Sequence, residues 1–389
     1  MTVSTQSAPT AGLVERTPKE RYAIDHIRTT DDRISIAGWF LDSGDFETIR
    51  IICDDRTLHL PHADEWQQPS LDVAASTEPR YNAVRFNIIF PFPEDLSLAL
   101  LKAIEISFEK EGHISRIPLL PLESSAETHL ANKPLRELKL GIGIPTYNRS
   151  DLIAETVERV KALTQFDPII FVANDGSKDN TSDILETIEG IHVLNAENKG
   201  IAWNKNRLLF HLHEIEKCDI VLLLEDDTQP VTQGWNVDWI LACLSFGHVN
   251  FSPPWFPHAN IGNGSWHAPY FSDALTAQCS GFSREALSYV GYIDTRFGRY
   301  GHEHVEHTSR MIRMGYGGLT KEDGASKSFF LLQGGLEIKD SVSNFSQEHV
   351  DENAQIFQKI HSECAYRSPW RDDEQIMRLR DEMKKVKRQ

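Results

Sequence analysis

The run Asp219-Ile220-Val221-Leu222-Leu223-Leu224-Glu225-Asp226-Asp227-Thr228-Gln229-Pro230 decides how the chain is read. Five apolar residues, 220–224, stop at three adjacent carboxylates. A short apolar run bounded by polar residues reads as a strand buried on both faces. In open α/β sheets, ligands sit outside the carboxyl ends of such strands. Three neighbouring acids repel one another unless a positive group joins them. A divalent cation carrying a diphosphate supplies that charge; a solvated acidic turn is the plainer alternative.

Working outward, strand and helix patterns alternate on both sides of this run. Residues 138–144 read as a strand stopped by Pro145, and 151–163 as an amphipathic helix. A second strand, 168–173, ends in Asn174-Asp175-Gly176-Ser177. A helix over 181–188, a strand over 191–194 and a helix over 200–213 return the chain to 219–230. This alternation predicts a parallel, doubly wound sheet. Upstream, 21–122 holds short β-branched or aromatic runs separated by turn clusters such as Asp42-Ser43-Gly44-Asp45, predicting a small all-β sandwich or barrel. Trp39 and Trp66 read as its core tryptophans. Residues 1–20 read as a disordered leader, 123–137 as a linker, 138–345 as the α/β domain and 346–389 as a helical extension.

Composition narrows the functions. The chain has 389 residues and a formal net charge of −17, which argues against a nucleic-acid partner. The five scattered cysteines form no CxxC pair, so a reducing, cytoplasmic home is expected. No run is long enough for an integral membrane segment. Lys384, Lys385, Lys387 and Arg388 leave a weak peripheral membrane contact open, with a surface helix carrying cations at its C-terminus as the alternative.

Four strand-end segments fall on one edge of the predicted sheet: 145–149, 174–177, 198–200 and 225–227. A carboxylate such as Asp175 can accept the imide hydrogen of a uracil-type base. Gly200 opens a helix whose first amides favour anions. The aromatic loop at 250–273 carries Trp255 and Trp266, suited to stacking on a sugar. A further segment, Tyr300-Gly301-His302-Glu303-His304-Val305-Glu306-His307, starts a helix that points Glu303 into the cleft and pairs Glu306 with Arg310. Its histidine spacing is not the His-Glu-x-x-His of a zinc hydrolase.

From about 138 to 318 these motifs together resemble the family 2 glycosyltransferases of the GT-A fold. The matching runs are Gly143-Ile144-Pro145-Thr146-Tyr147-Asn148-Arg149, Val172 to Thr181, Asn198-Lys199-Gly200, Leu224-Glu225-Asp226-Asp227, Gly281 to Asp294 and Gly301-His302-Glu303 to Arg310. The resemblance implies a hexosyltransferase-type enzyme that moves a sugar from a nucleotide-diphosphate sugar, UDP type favoured, to an acceptor hydroxyl. The acceptor is a glycan, a lipid-linked sugar or a small molecule. The cofactor implied is Mn²⁺ or Mg²⁺.

Carried over by position, Pro145, Thr146, Asn148, Arg149, Asp175, Gly200 and Asp226 border the nucleotide. Asp227 is the metal ligand, with Glu225 as the alternative register and His349 as a further ligand. Trp255, Trp266 and Glu306 face the acceptor. Glu303 is the expected base of an inverting reaction, with His304, standing where the family carries Asp, as the other candidate. The departure at His304 also keeps open a non-catalytic sugar- or nucleotide-binding protein on the same fold.

Overall fold

In a computed structural model, the structure describes residues 14–16, 22–29, 33–41, 48–53, 56–62, 65, 68–69, 83–91, 103–110, 113–118, 133–256, 262–314, 316–320, 327–339, 346–361 and 373–389. The expected leader apart from 14–16, most of the 123–137 linker, and the side chains of Trp39 and Trp66 lie outside them. The chain divides into two compact units, 1–121 and 122–389.

Among the described residues the first unit contains nine strands: β1 (Val14–Arg16), β2 (Tyr22–Thr29), β3 (Arg33–Leu41), β4 (Thr48–Cys53), β5 (Arg56–His59), β6 (Gln68–Pro69), β7 (Ala83–Pro91), β8 (Ile104–Lys110) and β9 (His113–Pro118). They form two sheets, ordered β1-β9-β8-β4-β5 and β2-β3-β7-β6. Alternation drives each inner face together: Ile49, Ile51, Ile106 and Phe108 from one sheet and Ile36, Phe86, Ile88 and Phe90 from the other are buried. The rings of Phe86 and Phe108 meet across the gap at 6.4 Å. Residues 14–16, within the expected leader, form β1, which pairs in parallel with β9.

The second unit is built on strands β10 (Leu140–Thr146), β11 (Ile169–Asn174), β12 (His192–Asn195), β13 (Ile220–Leu224), β14 (Thr228–Pro230), β15 (His248–Phe251), β16 (Tyr270–Ser272), β17 (Cys279–Ser283), β18 (Gly318–Thr320), β19 (Lys327–Leu332), β20 (Leu336–Ile338) and β21 (Lys387–Arg388). Its helices are α1 (Ile153–Leu163), α2 (Thr181–Leu185), α3 (Ile201–Phe210), α4 (Asn236–Phe246), α5 (Arg284–Val290), α6 (Glu303–Arg313), α7 (Gln347–Ile360) and α8 (Asp373–Met383). The main sheet runs β16-β19-β15-β17-β13-β10-β11-β12-β21, with β18 on β19.

Strands β13, β10, β11 and β12 are mutually parallel, and β17 is antiparallel to β13. The chain builds outward from β10 through β11 to β12, then returns to the other side of β10 with β13. That reversal opens a crevice at the carboxyl ends of β10 and β13, where a doubly wound sheet takes its ligand. All five residues of β13 and all seven of β10 are buried, as a strand covered on both faces requires. Gly143 lets α3 lie close: a Cβ there would meet Leu208 Cβ at 2.9 Å.

Three local expectations change. Pro145 does not stop β10; it lies inside the strand, where pairing with β13 has ended at Gly143 and no ladder donor is needed on that side. Helix α2 is shorter than the pattern suggested, and α3 passes at His211 into a π turn through Ile215. The aromatic region contributes β15 and β16 to the sheet, while 257–261 lie outside the described residues. Among the described residues no helix is long and apolar enough to cross a membrane.

The cations after α8 are exposed and pair with acids of the protein. Lys384 pairs with Asp381 at 2.6 Å, Lys387 with Glu186 at 2.8 Å and Arg388 with Glu216 at 2.7 Å.

Candidate functional site

The turns after β10 and β11 are knitted together before any ligand enters. Asp175 N donates to Thr146 O at 3.0 Å. Asn148 adopts a left-handed φ of 53° and its Oδ1 accepts from Lys178 N at 2.7 Å. Its own N donates to Ser177 Oγ at 2.8 Å, and Arg149 N donates to Thr181 Oγ1 at 2.9 Å. Asn148 thus joins two loops and shapes the rim. Thr146 is buried beneath it, and Pro145 is buried in the strand.

Asp175 is buried, and three donors converge on its carboxylate. Lys199 N and Arg207 Nη1 reach Oδ1 at 2.9 and 2.7 Å; Gly200 N reaches Oδ2 at 2.9 Å. Gly200 has φ 87°, and a Cβ on it would stand 2.0 Å from Gly298 O. Only glycine fits that turn. The Gly200 amide is therefore spent on the protein's own Asp175, a correction to its expected part as a free anion site. A carboxylate offers about four acceptor positions, so Asp175 retains about one for a ligand.

At the end of β13, Arg149 Nε donates to Asp226 Oδ1 at 3.2 Å, and Thr156 Oγ1 donates to the Asp226 carbonyl at 2.7 Å. Burial pushes the Asp226 carboxyl up to about 7; Arg149 opposes this and the neighbouring Glu225 and Asp227 reinforce it. Burial also raises Glu225, against the pull of Lys205. Asp227 is half-buried, with Thr228 Oγ1 3.4 Å from its Oδ1.

Lys205 of α3 bridges the two halves of the site. Its Nζ lies 2.8 Å from Glu225 Oε1 and 3.3 Å from Glu303 Oε1. Burial alone would discharge Lys205, but these two carboxylates more than offset that and keep it charged. Glu303 is 1% exposed, and its Oε2 accepts from Gly301 N at 3.1 Å. Burial works to raise its carboxyl, yet Lys205 and then His304 hold it well below the usual carboxylate range. A carboxylate so stabilised is a poor proton acceptor, which counts against Glu303 as the base. His304 Nδ1 lies 3.6 Å from Glu303 Oε1, with the side chain partly exposed.

Other expected residues fall elsewhere. Glu306 is buried and both its oxygens accept from Arg310 Nε, at 2.9 and 3.0 Å; it is a structural ion pair, not an acceptor contact. His349 Nε2 accepts from Arg299 Nη1 at 2.8 Å. That bond uses the lone pair a metal needs and sets a guanidinium beside it, which argues against His349 as a ligand. Trp255 is 68% exposed and packs edge-on to Phe256; Trp266 packs edge-on to His267.

Lys205, Arg207 and Tyr300 are the residues the motifs missed. Tyr300 is half exposed, and burial followed by Glu303 and Glu225 raises its phenol, which marks it as a wall of the same cleft. A separate cluster sits at the amino end of β12. His192 Nδ1 is 3.0 Å from His211 Nε2, and Glu216 Oε1 is 3.8 and 3.7 Å from them. Lys139 at 3.1 Å and Arg388 at 2.7 Å already neutralise Glu216, so the cluster carries net positive charge and reads as an ion-pair hub.

The donor set at the cleft fits a divalent cation. Arg149 pairs with Asp226, Lys205 pairs with Glu225 and Glu303, and Asp227 stands beside Glu225 and Asp226, so the cleft offers hard oxygen ligands of the kind a divalent cation takes. Residues 142–235 match the family model Glycosyl transferase family 2. The matched segment includes most of β10 and all of β11 to β14, with Asp175, Lys205, Arg207 and Glu225 to Asp227, while Tyr300, Glu303 and His304 lie beyond it. A hyaluronan synthase of Pasteurella multocida is 28% identical over 178 residues, covering 43% of this chain and 17% of that protein. A chondroitin synthase of Pasteurella multocida (strain Pm70) matches at the same identity and coverage. The chain thus spans about a sixth of the length of these relatives. Among solved structures, the mannosyltransferase PcManGT from Pyrobaculum calidifontis, in complex with GDP-Man and Mn²⁺, aligns at 16% identity and TM-score 0.37, over 48% of this chain and 56% of that one. GalNAc-T7 with UDP, GalNAc and Mn²⁺ aligns at 12% identity and TM-score 0.45, over 57% and 48%.

Proposed function

We propose that this protein is a hexosyltransferase that moves a sugar from a nucleoside diphosphate sugar to an acceptor hydroxyl, with a divalent cation at Asp227 and Glu225. The observation that carries the reading is the meeting of Asp226, Glu225 and Glu303 with Arg149 and Lys205, and of Asp227 beside them, at the crevice where β10 and β13 diverge. The match of 142–235 to the transferase family supports it.

Asp175, held by Lys199, Gly200 and Arg207, presents its remaining acceptor position to the base; a uracil imide suits it. Asp226 takes a ribose hydroxyl. Asp227 and Glu225 would hold a cation whose charge would stabilise the leaving diphosphate. His304 accepts the acceptor hydroxyl's proton as the new oxygen–anomeric carbon bond forms and the sugar–phosphate bond breaks. An imidazole is suited to neutral pH, and the Glu303 carboxylate behind it stabilises the imidazolium that results. This attack inverts the anomeric centre.

Trp255, Trp266 and Tyr300 offer aromatic faces to a glycan acceptor, the class that the synthase relatives' names favour. Cys53, Cys218, Cys243 and Cys279 are buried and not disulfide-bonded, which suits a cytoplasmic home. The test is a panel of nucleotide sugars, scored for nucleoside diphosphate release with Mn²⁺ and with chelator. Release that requires Mn²⁺ and an acceptor supports the reading. Nucleotide binding with no turnover on any donor favours the non-catalytic binder, for which the locked Glu303 is the structural argument.

A further inference from the structure

Residues 373–389 lie outside the matched segment, yet they reach the donor side of the crevice. Strand β21 adds to the edge of β12, with His192 opposite Arg388 and Val193 opposite Lys387. The main chain of Gln389 bonds to Gly190 N and Ile191 O, at 2.9 and 3.0 Å. Helix α8 buries Leu379 and Met383. One residue of that helix, Glu382, meets three donors of α3 and the turn before it. Arg207 Nε reaches its Oε2 at 2.6 Å, Lys199 Nζ reaches Oε1 at 2.6 Å, and Trp203 Nε1 lies 3.2 and 3.3 Å from the two oxygens.

Arg207 is fully buried and has no freedom to turn. Its Nη1 donates to Asp175 Oδ1 at 2.7 Å and to Asn204 Oδ1 at 3.1 Å, and its Nη2 to Glu197 O at 2.9 Å. A guanidinium is planar and rigid, so fixing its Nε edge fixes where its Nη1 points. Glu382 grips that edge. Lys199, whose N also donates to Asp175, is held by the same carboxylate through its side chain.

We propose that Glu382 is a positioning residue for the donor: it orients Arg207 and Lys199, and through them the Asp175 carboxylate that receives the base. Helix α8 is then part of the donor-binding machinery. The inference rests on the reading of Asp175 given above.

The test is calorimetric titration of UDP, with Mn²⁺ present, into the full chain and into Glu382→Ala, Glu382→Gln, Asp175→Asn and the Asp175→Asn/Glu382→Ala pair. Glu382→Ala is expected to weaken UDP about ten-fold, in the range of one lost charge-assisted hydrogen bond acting through a neighbour. Glu382→Gln, which keeps an acceptor for Arg207, loses less. In turnover, donor KM rises while kcat holds within about two-fold. In the Asp175→Asn background, Glu382→Ala changes UDP affinity no further. Additive losses in the pair, or wild-type affinity in Glu382→Ala, overturn the proposal and leave the donor reading standing. A wild-type chain that binds no nucleoside diphosphate overturns the donor reading and the proposal with it. If Glu382→Ala does not fold, Glu382→Gln alone and paired with Asp175→Asn supplies the same comparison.

Discussion

The Lys205 ammonium lies 3.3 Å from the Glu303 carboxylate, and both side chains are sealed from solvent. Removing one partner leaves the other charged and buried. Lys205→Met is expected to cost about 3–5 kcal/mol in urea unfolding, the usual range for breaking a buried pair from one side. Lys205→Met with Glu303→Gln should recover only the part of that loss due to Glu303, because Glu225 still loses the cation 2.8 Å from its Oε1. A single variant as stable as the wild type would show that water, not Lys205, neutralises Glu303.

Asp227→Ala should keep the fold and lose Mn²⁺-dependent UDP binding. Its side chain is half-buried at the end of β13 and its carbonyl accepts from Lys339 N at 2.8 Å, a main-chain bond that alanine retains. Circular dichroism checks the fold and titration of Mn²⁺ checks the site. Unchanged Mn²⁺ affinity removes Asp227 from the ligand set.

Acid should destabilise the second unit through its buried imidazoles. His248 Nδ1 lies 2.8 Å from Gly281 O, and its Nε2 lies 2.9 Å from Thr308 Oγ1 and 3.1 Å from Asn250 Nδ2. Burial lowers it from 6.5 to about 4. The unfolded chain therefore takes up the proton first, so the stability due to the neutral ring is complete above pH 6.5 and is lost as pH falls toward 4. One such group corresponds to about 3 kcal/mol over that window. Urea midpoints from pH 4 to 7 should fall less steeply in His248→Gln than in the wild type; parallel curves would contradict the assignment.

Gly200→Ala should be among the most damaging small substitutions near the site. The positive φ alone costs about 1–3 kcal/mol, and the added methyl meets Gly298 O at 2.0 Å. Relief of that contact moves the Gly200 amide off Asp175, so UDP affinity should drop together with melting temperature. Loss of stability with UDP affinity intact would separate the turn from the donor site.

Much of the second unit was legible because its signals are local. The apolar runs of β10, β11 and β13 and the polar residues that end them lie within a few positions of one another, so the crevice and its acids followed from pattern. The pairings that decide the chemistry are not local. Lys205 and Glu303 are 98 residues apart, and Arg207 and Glu382 are 175. A trace of them was nonetheless present. Residues 202–210 are all buried, so a Lys and an Arg set among Trp203, Leu208, Leu209 and Phe210 must each find an acid. Position alone points to Glu303 as the base and does not show that Lys205 faces it. Asn148 also has a part the motif does not show, joining the loops after β10 and β11 through Ser177 and Lys178. His349 has no local signal beyond its place downstream of α6, and Arg299, fifty residues away, occupies its Nε2.

The short strand Lys387–Arg388 has a further consequence for the molecule in solution. Strand β12 would otherwise present a row of open main-chain donors and acceptors, and such a row is a template for pairing with another molecule. Two residues with charged side chains, followed by Gln389 bonded to Gly190 and Ile191, close it. Shortening the chain at Val386 would therefore do more than loosen α8. It would uncover an aggregation-prone margin, and light scattering against protein concentration would register that before any loss of helix.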